Sequence, residues 1–252
     1  MDKKGFVKAF LAEDSYRMAK LFEALEKAKS SSRSYCSDEF YAPNVWNKVM
    51  EMKDYRDIEV LGEDFFERKV FVKNIEDEEP LSILEIENLN EEIKLSHKDY
   101  LGSIMSLGLN REKFGDIFLK GNKAYAVVFT STADFFKNNL TRIGRCSVAL
   151  KILSYHEAII FLQPNLTEKE AIIPSLRLDV VVAELAKTSR SKALDALSKG
   201  LVLVNYNETR DKAKEIKEGD TLTIRGKGKF KIGQVIGTTQ KGNLRMAYSK
   251  FE

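Results

Sequence analysis

Arg225, Lys227, Lys229 and Lys231 stand at alternate positions near the end of this 252-residue chain. Residues 221–230 (TLTIRGKGKF) read as a strand, and a period of two puts all four cations on one face. Like charges so close repel unless water, salt or a polyanion compensates them. Protecting an exposed sheet edge with lysine is the alternative use of such a pattern. The segments that must hold this strand are also basic. Residues 174–252 carry 16 Lys/Arg against 9 Asp/Glu, a net of +7, whereas the first 173 residues hold 25 against 29. A polyanion-binding module on a neutral or acidic body fits that asymmetry.

Two helices precede the strand. Ser175 can cap the first, whose apolar positions Leu178, Val181, Val182 and Leu185 fall on one face, with Arg177 and Glu184 well off it. Asp179 occupies the first turn, where the helix dipole favours an anion. The second helix begins near Ser189 and ends at Gly200, a natural residue just past a helix. It buries Ala193, Leu194 and Leu197 and turns Lys192 and Lys199 away. Arg190 falls on the apolar side, where only its first-turn place lets the guanidinium pass the core edge. A short strand over 201–205 and an Asn-Tyr-Asn turn follow. The basic helix starts and the strand together read as a phosphate-tracking surface.

No catalytic constellation assembles. His97 and His156 are the only histidines, and His97 with Asp99 at i+2 does not share a helix face with it. Cys36 and Cys146 have no Cys or His in metal spacing; Cys146 reads as a buried strand cysteine despite neighbouring Arg145. Asp77 and Glu78 belong to an acidic run that reads as a solvated linker. Gly226-x-Gly228 lacks the third glycine of a dinucleotide loop, since residue 231 is Lys. No cofactor, metal, catalytic residue or small-molecule substrate is expected. Mean hydropathy is −0.32, and no apolar run approaches the ~18 residues that span a bilayer. The N-terminus lacks the apolar core of a signal peptide. A cytoplasmic protein with no membrane partner is expected.

The rest of the chain reads as three parts. Residues 1–75 are mainly helical, with Met18, Leu21, Phe22 and Leu25 at helical spacing and Pro43 suited to a first helical turn. Residues 80–155 follow the order β-α-β-β-α-β, the ferredoxin-like split βαβ. Tyr125 and Phe129 share a strand face with Val127, as stacking aromatics of an RNA-recognition fold would. The signature of that fold is absent, and core packing is their expected use. Residues 154–173 read as a transition punctuated by Pro164 and Pro174. A basic domain over 174–236 with an extension over 237–252 completes the chain.

The blocks SLRLD (175–179), SRSKA (189–193), KGLVLVN (199–205), EGD (218–220) and RGKGKF (225–230) resemble the S-four, or alpha-L, RNA-binding domain. That resemblance implies an α+β fold ending in an S-four domain. It implies RNA contacts at Arg177, Ser189, Arg190, Lys192 and the strand bearing Arg225, Lys227 and Lys229, with Lys199 part of the same basic module. Ser189 and the adjoining helix N-terminus can offer N–H groups to a phosphate. Upstream, HKDYLGSIMSLGL (97–109), REKFGDI (111–117), NLTRIGR (139–145) and the terminal GTTQKGNLR (237–245) resemble the YlmH family of bacterial RNA-binding proteins. Where members carry a Gly-Gly turn before an E-R-K element, this chain has Leu61-Gly62-Glu63-Asp64 before Glu67-Arg68-Lys69. The family implies a ribosome-associated factor that binds the large subunit carrying peptidyl-tRNA, and so ribosomal RNA or tRNA, in rescue and quality control of stalled nascent chains. An RNA-modifying enzyme using the S-four domain as its handle is the alternative, but Arg177-Leu178-Asp179, the one triplet that could suggest a pseudouridine synthase, lies inside that domain.

Overall fold

The computed structural model describes residues 1–10, 13–76, 78–163 and 166–251. Asp77 of the acidic run and Pro164 of the predicted transition lie outside the described residues. The chain divides into two compact units, Met1–Gln163 and Pro164–Glu252.

Unit 1 opens with α1 (Lys3–Ala9) and α2 (Ser15–Ser30), capped by Asp2 and Asp14, whose side chains accept from the N–H groups of Gly5 and Arg17. Met18, Leu21 and Leu25 are buried on one face of α2, at the predicted spacing. After β1 (Tyr35–Cys36), α3 (Pro43–Met50) starts with Pro43 in its first turn, where a missing N–H costs no helical hydrogen bond. With β2 (Glu59–Leu61) and β3 (Val70–Lys73), β1 makes a small antiparallel sheet of order β1-β3-β2.

The split βαβ follows: β4 (Leu81–Asn88), α4 (His97–Met105), β5 (Phe114–Lys120), β6 (Lys123–Phe129), α5 (Thr130–Asn139), a short β7 (Arg142–Ile143) and β8 (Cys146–Ser154). All neighbours in the order β5-β6-β4-β8-β7 are antiparallel. One face of the sheet carries Leu84, Ile86, Ala126 and Val128 and packs against Tyr100 and Ile104 of α4 and Phe136 of α5. The opposite face carries Ile83, Tyr125, Val127 and Phe129. It is covered by Phe40, Phe66, Val70 and Val72 from the N-terminal segment and by α6 (Tyr155–Leu162). Tyr125 and Phe129 are each 8% exposed, and the Phe40 and Phe129 ring centroids lie 4.7 Å apart. Core packing is thus their role, and no base can stack on them as they stand.

The described residues of the predicted transition are instead structured. Tyr155, Ala158 and Leu162 recur at i, i+3 and i+7 and bury one face of α6, and unit 2 begins with β9 (Leu166–Ile173). The pairing of β9 with a strand near the chain's end is invisible to local pattern.

In unit 2, α7 (Leu178–Leu185) and α8 (Arg190–Ser198) lie on a sheet of order β11-β10-β12-β13-β14-β9. Its further strands are β10 (Val202–Val204), β11 (Asn207–Glu208), β12 (Thr221–Ile224), β13 (Gly228–Thr238) and β14 (Leu244–Phe251). Leu178, Val181, Val182, Ala193 and Leu197 meet Val202, Leu222, Ile224, Phe230 and Met246 in one core. Two expectations are corrected. Residues 221–230 are two antiparallel strands, because Gly226 takes a positive φ of 78° and the Lys227 N–H bonds the Ile224 carbonyl at 2.9 Å, reversing the chain. The four alternate cations therefore do not share one strand face. Residues 237–252, read as an extension, include β14, which pairs with β13 on one side and with β9 along its length on the other.

Candidate RNA-binding surface

Asp179, in the first turn of α7, is 1% exposed and binds two arginines. Arg177 Nε reaches its Oδ1 at 3.2 Å; Arg190 Nε and Nη2 reach its Oδ2 at 2.8 and 2.7 Å. Burial alone would raise the Asp179 carboxyl, but the hydrogen bonds and charges of Arg177 and Arg190 outweigh it and hold the pKa below the ordinary carboxylate value. The carboxylate fixes two guanidiniums that remain 42% and 58% exposed. Each keeps N–H donors that Asp179 does not use. Arg190 clears the core edge as expected, and its partner is this buried acid.

The loop after β11 borders the same cluster. Lys214 and Lys212 carbonyls accept from the N–H groups of Leu178 and Asp179 at 2.8 and 3.2 Å, and Ile216 N–H bonds the Leu176 carbonyl at 2.9 Å. This ladder places exposed Lys212 and Lys214 beside the start of α7. At α8, the Ser189 hydroxyl caps its own helix by accepting from Lys192 N–H at 3.3 Å. The Arg190 and Ser191 N–H groups have no partner among the described residues, and Lys192 is exposed without an ion pair there. A helix end with open N–H groups and flanking cations suits an anion.

Lys199, Arg225, Lys227 and Lys229 are placed differently. Lys199 ion-pairs with Asp195 at 2.7 Å at the far end of α8, about 13 Å along the helix from Arg190. Arg225 N–H bonds the Leu201 carbonyl at 2.9 Å, so the β12–β13 turn, with exposed Arg225 and Lys227, lies at that far end. Lys229 is half-buried, its Nζ 4.6 Å from the Tyr206 ring centroid and 4.8 Å from that of Phe251. Cation–π contact holds it within the sheet. The structure thus gathers Arg177, Ser189, Arg190 and Lys192 at one end of α8 and sets Lys199, Arg225 and Lys227 at the other. Sequence reasoning missed Lys212 and Lys214, for which the only signal was a basic K-A-K in a loop, and it missed Asp179 as the group positioning both arginines.

Asp99 and the two cysteines, which could have hinted at catalysis, have other settings. Asp99 accepts from the Ser96 N–H and hydroxyl at 2.7 Å in a capping box. The Cys36 thiol is pushed up to about 12 by burial, then by Glu78 and Asp38, the wrong direction for a nucleophile. Cys146 is buried. No group of three His, Cys, Asp or Glu that could hold a metal occurs among the described residues, and none of the described helices is long and apolar enough to cross a membrane.

Residues 76–157 match the family model described as "Putative RNA-binding domain in YlmH", and residues 176–222 match the S4 domain. The chain is 32% identical over 158 residues to the "Ribosome-associated protein quality control protein P2" of Bacillus subtilis (strain 168), covering 63% of this chain and 61% of that protein. It thus spans about three fifths of that relative's length. It is also similar to the solved structure of "Cell division protein ylmH from Streptococcus pneumoniae", with 21% identity, a TM-score of 0.43, and coverage of 55% of this chain and 90% of the other. The two domain matches in this order and the similarity to the Bacillus protein support a likeness to YlmH-type proteins, with a C-terminal S4 RNA-binding domain.

Proposed function

We propose that the protein is a non-catalytic, cytoplasmic RNA binder that engages ribosomal RNA or peptidyl-tRNA on the large ribosomal subunit, in rescue or quality control of stalled nascent chains. The observation that carries this reading is the buried Asp179 clamp, which presents two guanidiniums beside the open end of α8 and Lys212 and Lys214. Guanidiniums held in place lose less freedom on binding a phosphate than free side chains do. The name of the Bacillus relative supports the ribosomal setting.

The test is co-sedimentation of the full chain with purified large subunits. Removing both arginines would strand a buried carboxylate, so the variant combines Arg177→Ala, Asp179→Asn and Arg190→Ala. Folded protein that no longer sediments with the subunit is the expected result. Normal sedimentation would sink the assignment of this site.

A further inference from the structure

The sheet face that an RNA-recognition fold offers to bases is closed in unit 1, since Tyr125 and Phe129 lie beneath the N-terminal segment and α6. A contact between unit 1 and RNA must use another surface. Unit 1 is net acidic, with 27 Asp/Glu against 24 Lys/Arg in residues 1–163. Within it, residues 135–156 contain Lys137, Arg142, Arg145 and Lys151 and no acidic residue.

Structure concentrates these cations. Arg142 and Arg145 flank the β7–β8 turn, where Gly144 takes a φ of 55° and both arginines are exposed. Arg142 Nη2 donates to the Arg145 carbonyl at 3.0 Å, and Gly144 N–H bonds Ser103 Oγ of α4 at 3.1 Å. The hairpin is therefore tied to the helix beside it. Neither arginine is ion-paired among the described residues, whereas Lys113 and Lys123 of the same domain are. Lys137 is exposed in the last turn of α5, just before the hairpin. The acids of the flanking helices are Asp99, engaged in its capping box, and Asp134, one turn before Lys137. Gly102, inside α4 next to Ser103, is exposed, and a Cβ there would meet nothing within 4 Å. Glycine weakens a helix relative to alanine, and no neighbour within the protein requires it here.

We propose that the β7–β8 hairpin, through Arg142 and Arg145 and supported by Lys137, is a second RNA-phosphate contact on the α4 side of unit 1. The proposal rests on the reading of the protein as an RNA binder and adds a site that the S4 domain does not contain. Two guanidiniums on an anchored turn suit backbone phosphates of structured RNA, which are recognised by position and charge.

The probe is purified large-subunit ribosomal RNA, titrated with the full chain at several salt concentrations. Arg142→Ala with Arg145→Ala should weaken binding roughly 10-fold near 0.15 M salt and flatten the salt slope by about 0.7–0.9 per lost contact. Arg142→Lys with Arg145→Lys should keep most of the slope. Arg142→Gln with Arg145→Gln repeats the test with longer side chains should the alanine variant fold poorly, and Trp46 fluorescence reports the fold of unit 1. Unchanged affinity and slope, with binding still lost on Arg190→Ala plus Lys192→Ala, would overturn the hairpin site and leave the S4 reading standing. Normal RNA affinity with lost subunit binding would assign the hairpin to a ribosomal protein and equally overturn it. A wild-type chain that fails to hold the RNA would remove the parent reading and this one with it.

Discussion

The Arg177–Asp179–Arg190 cluster makes a prediction whose size follows from its geometry. Arg190→Ala removes two contacts to a buried carboxylate, at 2.8 and 2.7 Å, and leaves only Arg177 at 3.2 Å. A hydrogen bond to a charged group contributes about 1.5–3 kcal/mol. Because the Arg190 side chain is 58% exposed, solvent screening trims this, and a loss of about 1–2 kcal/mol is expected. Arg177→Ala, with one longer contact, should cost about 0.5–1 kcal/mol. Both changes together leave the carboxylate buried without a cation, which should cost about 3–5 kcal/mol, more than the two single losses combined. In an Asp179→Asn background, the same arginine substitutions should have little effect. Wild-type stability from this group is present above the ordinary carboxyl pKa and is lost as pH falls through the depressed value, because protonation ends the ion pairs. The single tryptophan, Trp46, lies in unit 1, so the measurement is hydrogen exchange of peptides from residues 166–251 in increasing urea. A double arginine variant that loses no more than the singles do, or that loses as much in the Asp179→Asn background, would refute a buried carboxylate organising the site.

Two further outcomes are expected. If about 4–6 phosphates are contacted, affinity for ribosomal RNA should fall by a few orders of magnitude over a fourfold salt rise, measured by filter binding at several salt concentrations. In unit 1, Asp116 accepts from Glu67 and Arg68 N–H groups at 2.6 and 3.1 Å, yet burial pushes its carboxyl up to about 6 from an ordinary 3.8. A raised acid favours the fold fully below its unfolded pKa and loses that contribution as pH rises through the folded one. Asp116→Asn, which keeps an acceptor, should thus stabilise unit 1 by about 2–3 kcal/mol at pH 7 and by little below pH 4, as read by Trp46 fluorescence in urea.

Local periodicity determined the faces of α2, α7 and α8 and the β-α-β-β-α-β order, because the spacing of an apolar stripe depends only on neighbours along the same helix or strand. The basic bias of residues 174–252 was equally a matter of composition. Tertiary structure alone decided that Asp179 joins α7 to α8, since its partner Arg190 is eleven residues away and the bond depends on how the helices pack. It decided that the loop holding Lys212 and Lys214 runs beside α7, through backbone hydrogen bonds that side-chain types do not encode. The alternation of Arg225, Lys227 and Lys229 suits a strand and a tight turn alike, so only the backbone at Gly226 chose the turn. Whether an aromatic strand face meets solvent or another segment was likewise open until Phe40, Phe66 and α6 were placed over Tyr125 and Phe129. A period of two says that a face exists and nothing about what covers it.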